Sequence, residues 1–376
     1  MDIYERLDVT KIINAAGYKT VSGGSLMPDE VLEAMNEAAR HFVDIRELQL
    51  RAGERIAKLT RNEAAYISCG AAASLQVAAA ACMTRGETIQ ISRLPNVERN
   101  EILIHRNHRN PYELGLLGIG ARIVDFGFVN QTSREELEAA ISPRSAAVFF
   151  FFFRGGHKIR EGCLSLEETV EVAHGHGLPV VVDAASQIPP VSSLWEFTQR
   201  GADMVVFSGG KGLRGPQSTG LIVGKRELIA VCNKVGAPNY TALRPLKVQK
   251  ESMAGLVAAV ECAVRRDEAH EHAVCEETVR VVVEALAGTA GITAVRSYPS
   301  DSGQPVPVAA VRFSGPNPLK LRNEAIRLLR NGRPAIVVRT HELDSIALDP
   351  LTLTPVQAPE VARRIREVAG ELKLGV

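Results

Sequence analysis

Two residues near the middle of the chain carry the strongest chemical signal. Asp183 closes the apolar run 178–182 in LPVVVDAASQ. A second apolar run, 204–207, leads into Ser208 and then Lys211, which sits among Gly209, Gly210 and Gly212. Burial lowers a lysine pKa, and a neutral amine in an apolar setting is a nucleophile toward an aldehyde. A carboxylate at a neighbouring strand end suits a protonated ring nitrogen. This is the layout of an enzyme that holds pyridoxal phosphate (PLP) as a Schiff base on Lys211, with Asp183 keeping the pyridine nitrogen protonated so that the ring absorbs electrons. The flanking glycines are expected to keep space around the lysine, and Ser208 to offer a hydroxyl to a phosphate oxygen.

The elements that position this pair read as short apolar strands alternating with helices. Strands are expected at 64–68, 87–92, 122–126, 146–153, 179–183, 204–208 and 220–223, with helices such as 74–84, 133–141 and 165–175 between them. That alternation specifies an α/β fold, a mainly parallel seven-stranded sheet covered on both faces. A ligand of such a sheet binds outside the carboxyl ends of the strands, where Asp183 and Ser208 both fall. Before it, a polar arm (1–27) precedes helical patterns from Pro28 and over 43–58. Beyond about 248, a long helix at 252–287 and a mixture of strands and helices read as a smaller α+β domain. The expected division is 1–27, 28–248 and 249–376.

Several further groups are candidates for the site. Cys69 to Ala81, CGAAASLQVAAAA, follows a strand and opens a helix. Its small residues allow close backbone approach, and exposed N–H groups at a helix start attract phosphate, although the segment also reads as a tight turn above an alanine-rich core helix. Arg244, Lys247 and Lys250 form a basic cluster, either the charged entry to the long helix or a contact to a substrate or cofactor anion. Lys250 also competes for the Schiff base, without a preceding strand or glycine flanks. Arg154, His157 and Lys158 follow another strand end, where His157 or Lys158 could line the pocket; Arg154, Lys158 and Lys250 suit a phosphorylated substrate and a bare carboxylate equally.

Bulk properties set the class. The 376 residues allow a large core and two domains, with 45% hydrophobic and 23% charged residues. The formal net charge of +1, from 44 Lys plus Arg against 43 Asp plus Glu, offers no electrostatic reason for a nucleic-acid or membrane partner. Six cysteines show no CxxC pairing and no metal-ligand spacing, so no metal is expected. The polar N-terminus and the short apolar runs point to a soluble, cytoplasmic protein.

The strings INAAGYKTVSGG, VVVDAASQIPP and SGGKGLRGPQSTGLIVGK resemble the selenocysteine-synthase-like branch of the fold-type-I PLP enzymes over nearly the whole chain. That branch includes bacterial seryl-tRNA selenium transferase and D-glucosaminate-6-phosphate ammonia-lyase. The resemblance implies the aspartate-aminotransferase-like fold, Lys211 as the cofactor lysine and Asp183 at the pyridine nitrogen. It places Gly70, Ala71, Ala72 and Ser208 near the phosphate and His108 as a ring stacked on the cofactor. Arg339, in PAIVVRT, falls where relatives place the arginine that pairs with a substrate carboxylate. It also implies a homodimer or larger assembly with a shared site. The selenium transferases carry an additional N-terminal tRNA-binding domain, whereas here the INAAG segment begins at Ile13 and no basic excess exists to grip an RNA backbone.

The expected activity is therefore PLP chemistry at Cα of a small amino acid. The resemblance puts an α,β-eliminating ammonia-lyase first and a racemase or epimerase second. Aldolase, aminotransferase, selenium transferase and a non-catalytic PLP-binding paralogue follow. Composition and spacing do not choose among them.

Overall fold

A computed structural model describes residues 1–152 and 162–374. Its contacts gather into two units, residues 26–266 and residues 1–25 with 267–376. The packing boundary thus falls at 266/267 rather than the expected 248/249, because the helix Lys250–Val264 packs on the helices Asp29–Ala39 and Ile45–Leu59. The expected arm contributes strand β1 (Ile12–Ala15) to the smaller unit.

The larger unit is built on β2 (Ala64–Ser68), β3 (Glu101–His105), β4 (Arg122–Phe126), β5 (Ser145–Phe151), β6 (Val180–Asp183), β7 (Met204–Ser208) and β8 (Gly220–Gly224). They form one seven-stranded sheet in the order β2-β8-β7-β6-β5-β3-β4. Only β8 runs against its neighbours, so β2 through β7 share one direction and their carboxyl ends share one edge. Alternate residues of each strand enter opposite cores. Leu103, Val148, Phe150, Val182 and Val205 join one core, and Ile104, Phe149, Phe151, Val181 and Val206 join the other. Burying each such side chain contributes about 1.5–3 kcal/mol, which explains why the central strands read as unbroken apolar runs.

The strand count agrees with the sequence reading, but one strand lies elsewhere. Residues 87–92 do not form a strand; Thr88–Arg93 is a short helix and Ile89 is exposed. The missing strand is β3, all five residues of which are buried. Its flanking Glu101 and His105 disguise it as polar. Glu101 is carried into the sheet because Ser142 Oγ donates to it at 2.5 Å and Arg122 Nη1 at 3.2 Å. The expected long helix 252–287 is two helices, Lys250–Val264 and Glu268–Leu286, and Asp267 caps the second by accepting His270 N–H.

The smaller unit holds β1 with β9 (Ile292–Ser297), β10 (Val308–Phe313), β11 (Ala335–Thr340) and β12 (Ser345–Leu348), in the order β1-β11-β12-β10-β9. β1 and β11 are parallel and the other pairs antiparallel. Its core brings Val311, Phe313 and Ile336 against Val282, Val361 and Ile365 of the helices. Among the described residues, no helix is long and apolar enough to cross a membrane.

Candidate active site

The register of the large sheet collects the candidate residues at one edge. Ser208, at the carboxyl end of β7, and Ser68, at the carboxyl end of β2, both pair with Gly220 at the start of β8. Asp183 pairs with Val206, two residues before Ser208. Counting by twos, Asp183 and Ser208 project on the same sheet face as Val181 and Val206.

Asp183 Oδ1 accepts the Ala185 N–H at 2.9 Å. Burial pushes its carboxyl above the usual carboxylate range, against the pull of that N–H and of Lys211. A buried carboxylate with so little compensation is stabilised by a cation at its open side. Lys211 lies in the turn after β7. Burial pulls its ammonium below the usual lysine range, and the nearby Asp183 charge opposes that shift. Each of these two groups thus feels the other's charge.

The glycines around Lys211 play a different part from the one expected. A Cβ on Gly209 would lie 1.9 Å from Thr219 Oγ1, one on Gly210 2.4 Å from Gln217 Cα, and one on Gly212 2.1 Å from the Ile188 carbonyl oxygen. Their neighbours fill the space, so the glycines let the turn pack tightly rather than keep room free. Gly215 N–H to Gly209 O at 2.8 Å and Gly209 N–H to Thr219 O at 2.9 Å close the same turn. Arg266 Nη1 donates to Gly212 O at 2.9 Å. The lysine backbone is therefore clamped from several sides.

The helix Ala71–Thr84 starts at this edge. Gly70 has φ +146° and ψ 159°, a region only glycine occupies comfortably, and provides no side-chain cap. Ser68 and Ser74 share a 2.7 Å hydrogen bond beneath it, and Ser68 Oγ donates to Gly70 O at 2.8 Å. A Cβ on Gly220 would strike the Gly70 carbonyl at 2.4 Å, so this glycine of β8 is what admits the loop. Gly70 and Ala71 are half-buried and Ala72 is exposed, which leaves an accessible, uncapped helix start for an anion. Sequence patterns alone do not single out Ala185, Ser68, Ser74, Gly220 or Arg266; Ser68, three residues before the helix, is the one with a local signal.

Four other candidates remain. His108 is buried, its ring 4.5 Å from His105 and 4.6 Å from Phe150 in a tilted and edge-on cluster with Phe126. Phe150 joins the core on the sheet face opposite Asp183, so the contacts that His108 makes are to other rings. Burial pulls it down to about 4, and His105, with His108 adding to the effect, to about 2. Lys250 Nζ donates to Ala38 O and Glu251 Oε1, both at 2.5 Å, and pins one helix to another. That engagement leaves it a structural ammonium rather than an anion receptor or a rival to Lys211. Arg154, with His157 and Lys158, lies outside the described residues. Arg339 is in the smaller unit, with Nε 3.1 Å from Asp301 Oδ2 and Nη1 3.5 Å from the buried Asp349. Its Nη2 has no hydrogen-bond partner among the described residues.

A family model described as L-seryl-tRNA selenium transferase matches residues 12–291, a span that includes Asp183, Lys211 and the helix start at Gly70. The chain belongs to the L-seryl-tRNA selenium transferase family. This family member is 32% identical to D-glucosaminate-6-phosphate ammonia lyase of Salmonella typhimurium, with 98% of each chain covered. It is also 32% identical to a 5'-C-glycyluridine monooxygenase-decarboxylase of Streptomyces, covering 97% of this chain and 91% of the other. An L-seryl-tRNA(Sec) selenium transferase of Solidesulfovibrio magneticus is 29% identical over 94% of this chain and 80% of its own. The solved structure of a D-glucosaminate-6-phosphate ammonia-lyase superposes with a TM-score of 0.85 at 30% identity, covering 99% of both chains. A serine palmitoyltransferase variant from S. paucimobilis with a bound PLP-myriocin aldimine shares the fold at a TM-score of 0.61 and 15% identity, over 96% of this chain and 88% of its own. The family member has the fold of the type I PLP enzymes, and its cofactor is PLP. The edge fits that cofactor on physical grounds: an under-compensated carboxylate, a lysine depressed by burial and an uncapped helix start converge there.

Proposed function

We propose that this protein is a PLP-dependent ammonia-lyase that removes a β-hydroxyl and the amino group from a small amino acid. The observation that carries the reading is the Asp183–Lys211 pair at the carboxyl edge, in a chain 32% identical end to end to an ammonia lyase. Lys211 holds the cofactor, Asp183 faces its ring nitrogen, and the N–H groups after Gly70 with Ser208 hold its phosphate. When bound, the cofactor supplies an electron sink for the pair left on Cα.

The protein's part is proton handling. Desolvation raises the neutral fraction of the Lys211 amine, so once substrate has displaced it, Nζ takes the Cα proton. The same ammonium then donates to the departing β-hydroxyl, which leaves as water. The released unsaturated amine takes up water and yields a 2-oxo acid and ammonium, so atoms balance without an external oxidant. Asp183 remains ionised beside the cationic ring, which offsets its burial penalty. On the family resemblance, Arg339 takes the substrate carboxylate, a planar two-pronged partner. We also assign a homodimer or larger assembly and a cytoplasmic setting, which suits six free cysteines.

The test is proton NMR in D2O with PLP-loaded protein and a panel of D- and L-amino acids, including β-hydroxy and phosphorylated ones. A growing 2-oxo acid with stoichiometric ammonium supports the lyase. Deuterium at Cα of an otherwise intact amino acid would replace it with a racemase, and no turnover across the panel would sink it.

A further inference from the structure

At the opposite, amino-terminal edge of the large sheet lies a cavity of about 580 Å³, within the size range of small-molecule sites. It opens where Leu178 and Pro179 lead into β6, Asp203 precedes β7 and Lys225 follows β8. None of the residues that carry the proposed chemistry lines it.

Its charges are unevenly spent. Asp203, 2% exposed, is saturated: Oδ2 accepts the Val180 N–H at 2.6 Å and pairs with His174 Nε2 at 2.8 Å, while Oδ1 meets Lys225 Nζ at 2.6 Å. Glu227, the other carboxylate of the lining, also lies in the field of Lys225. Two cations remain. Among the described residues, the guanidinium of Arg85, at the end of the helix Ala71–Thr84, has neither a hydrogen bond nor an ion pair. Among the described residues Arg99 reaches only the Ala146 carbonyl, at a long 3.4 Å, and its buried Nε has no hydrogen-bond partner there. A desolvated, unsatisfied guanidinium N–H is costly to keep, and a planar acid group satisfies it in two-pronged fashion. The remaining wall is apolar, from Cys82, Leu178, Leu228 and Val231.

We propose that this cavity is an accessory site for a small organic anion, with Arg85 and Arg99 gripping a phosphate monoester or carboxylate and the apolar wall covering its body. The site lies at the far edge of the sheet from the cofactor residues, so its ligand is distinct from the substrate of the proposed reaction.

The probes are phenyl phosphate and benzoate, titrated calorimetrically into PLP-loaded protein, with inorganic phosphate as the headgroup alone. At least one aromatic probe binds, at least about tenfold more tightly than inorganic phosphate, and the tighter of the two identifies the headgroup. Arg99→Gln and Arg85→Gln each weaken it by about tenfold or more, whereas Arg339→Gln and Lys211→Ala leave it unchanged. Arg85 is exposed, so its variant reads binding without threatening the fold, and unchanged cofactor absorbance in both arginine variants verifies integrity. Absence of binding by both aromatic probes up to about 10 mM overturns the proposal, as does binding that survives both arginine substitutions or is lost in Arg339→Gln. Because the readout is binding, failure of the lyase reading leaves this test intact.

Discussion

Asp183 and Asp203 stand at opposite ends of adjacent strands, and the sheet treats them in opposite ways. Asp203 is satisfied by a backbone N–H, an imidazole and an ammonium. Among the described residues Asp183 accepts one N–H, and burial drives its carboxyl upward. A carboxylate that closes a fold is given its partners by the fold. On the proposed function, Asp183 is left short of them because the cofactor ring supplies the missing partner.

The largest effect expected at the carboxyl edge comes from Lys211→Ala. It should abolish covalent cofactor attachment and lower kcat by on the order of 10³-fold. Borohydride reduction and peptide mass spectrometry check this, and a label on any other lysine would break the assignment. Asp183→Asn should lower kcat by roughly 100-fold while leaving the apoprotein at least as stable, because it removes a buried, under-compensated charge. Asp203→Ala should do the reverse. Turnover persists, but the orphaned Val180 N–H costs about 1–3 kcal/mol in urea melts. If Asp203→Ala abolished turnover without loss of stability, the contrast between the two edges would collapse.

A smaller effect concerns pH. The His108 pKa is depressed to about 4 in the folded chain, below its unfolded value of 6.5. The unfolded chain therefore binds more protons throughout that window, and stability present above pH 6.5 is lost as pH falls toward 4. At pH 5 the loss relative to pH 7 is about 2 kcal/mol, and His108→Phe should remove it. The same variant sharpens the site. If His108 is a core ring, the cofactor's visible spectrum is unchanged; a shifted spectrum would restore it to the cofactor.

Much of this was legible beforehand because it rests on local rules. β2, β4 and β7 fall at the expected residues, since apolar strands flanked by turns declare themselves. Ser133 and Ser165 begin helices with capping boxes, which a serine three residues ahead of a glutamate announces. β3 was hidden because its polar ends are neutralised by residues distant in sequence, Arg122 and Ser142 for Glu101 and Thr169 for His105. His108 shows the same limit, since its spacing from Asp183 says nothing about which rings it packs against.

The sequence by itself determined the class of fold and the cofactor chemistry and nominated Asp183 and Lys211 to carry it, because strand periodicity and the aspartate and lysine strings are short-range signals. The tertiary structure decided which carboxylate goes unsatisfied, why the glycines around Lys211 are there, that Lys250 is spent on a helix contact, and that Arg85 and Arg99 share a cavity. Those outcomes depend on what chain segments remote in sequence bring within a few ångströms of one another, and periodicity carries no record of that.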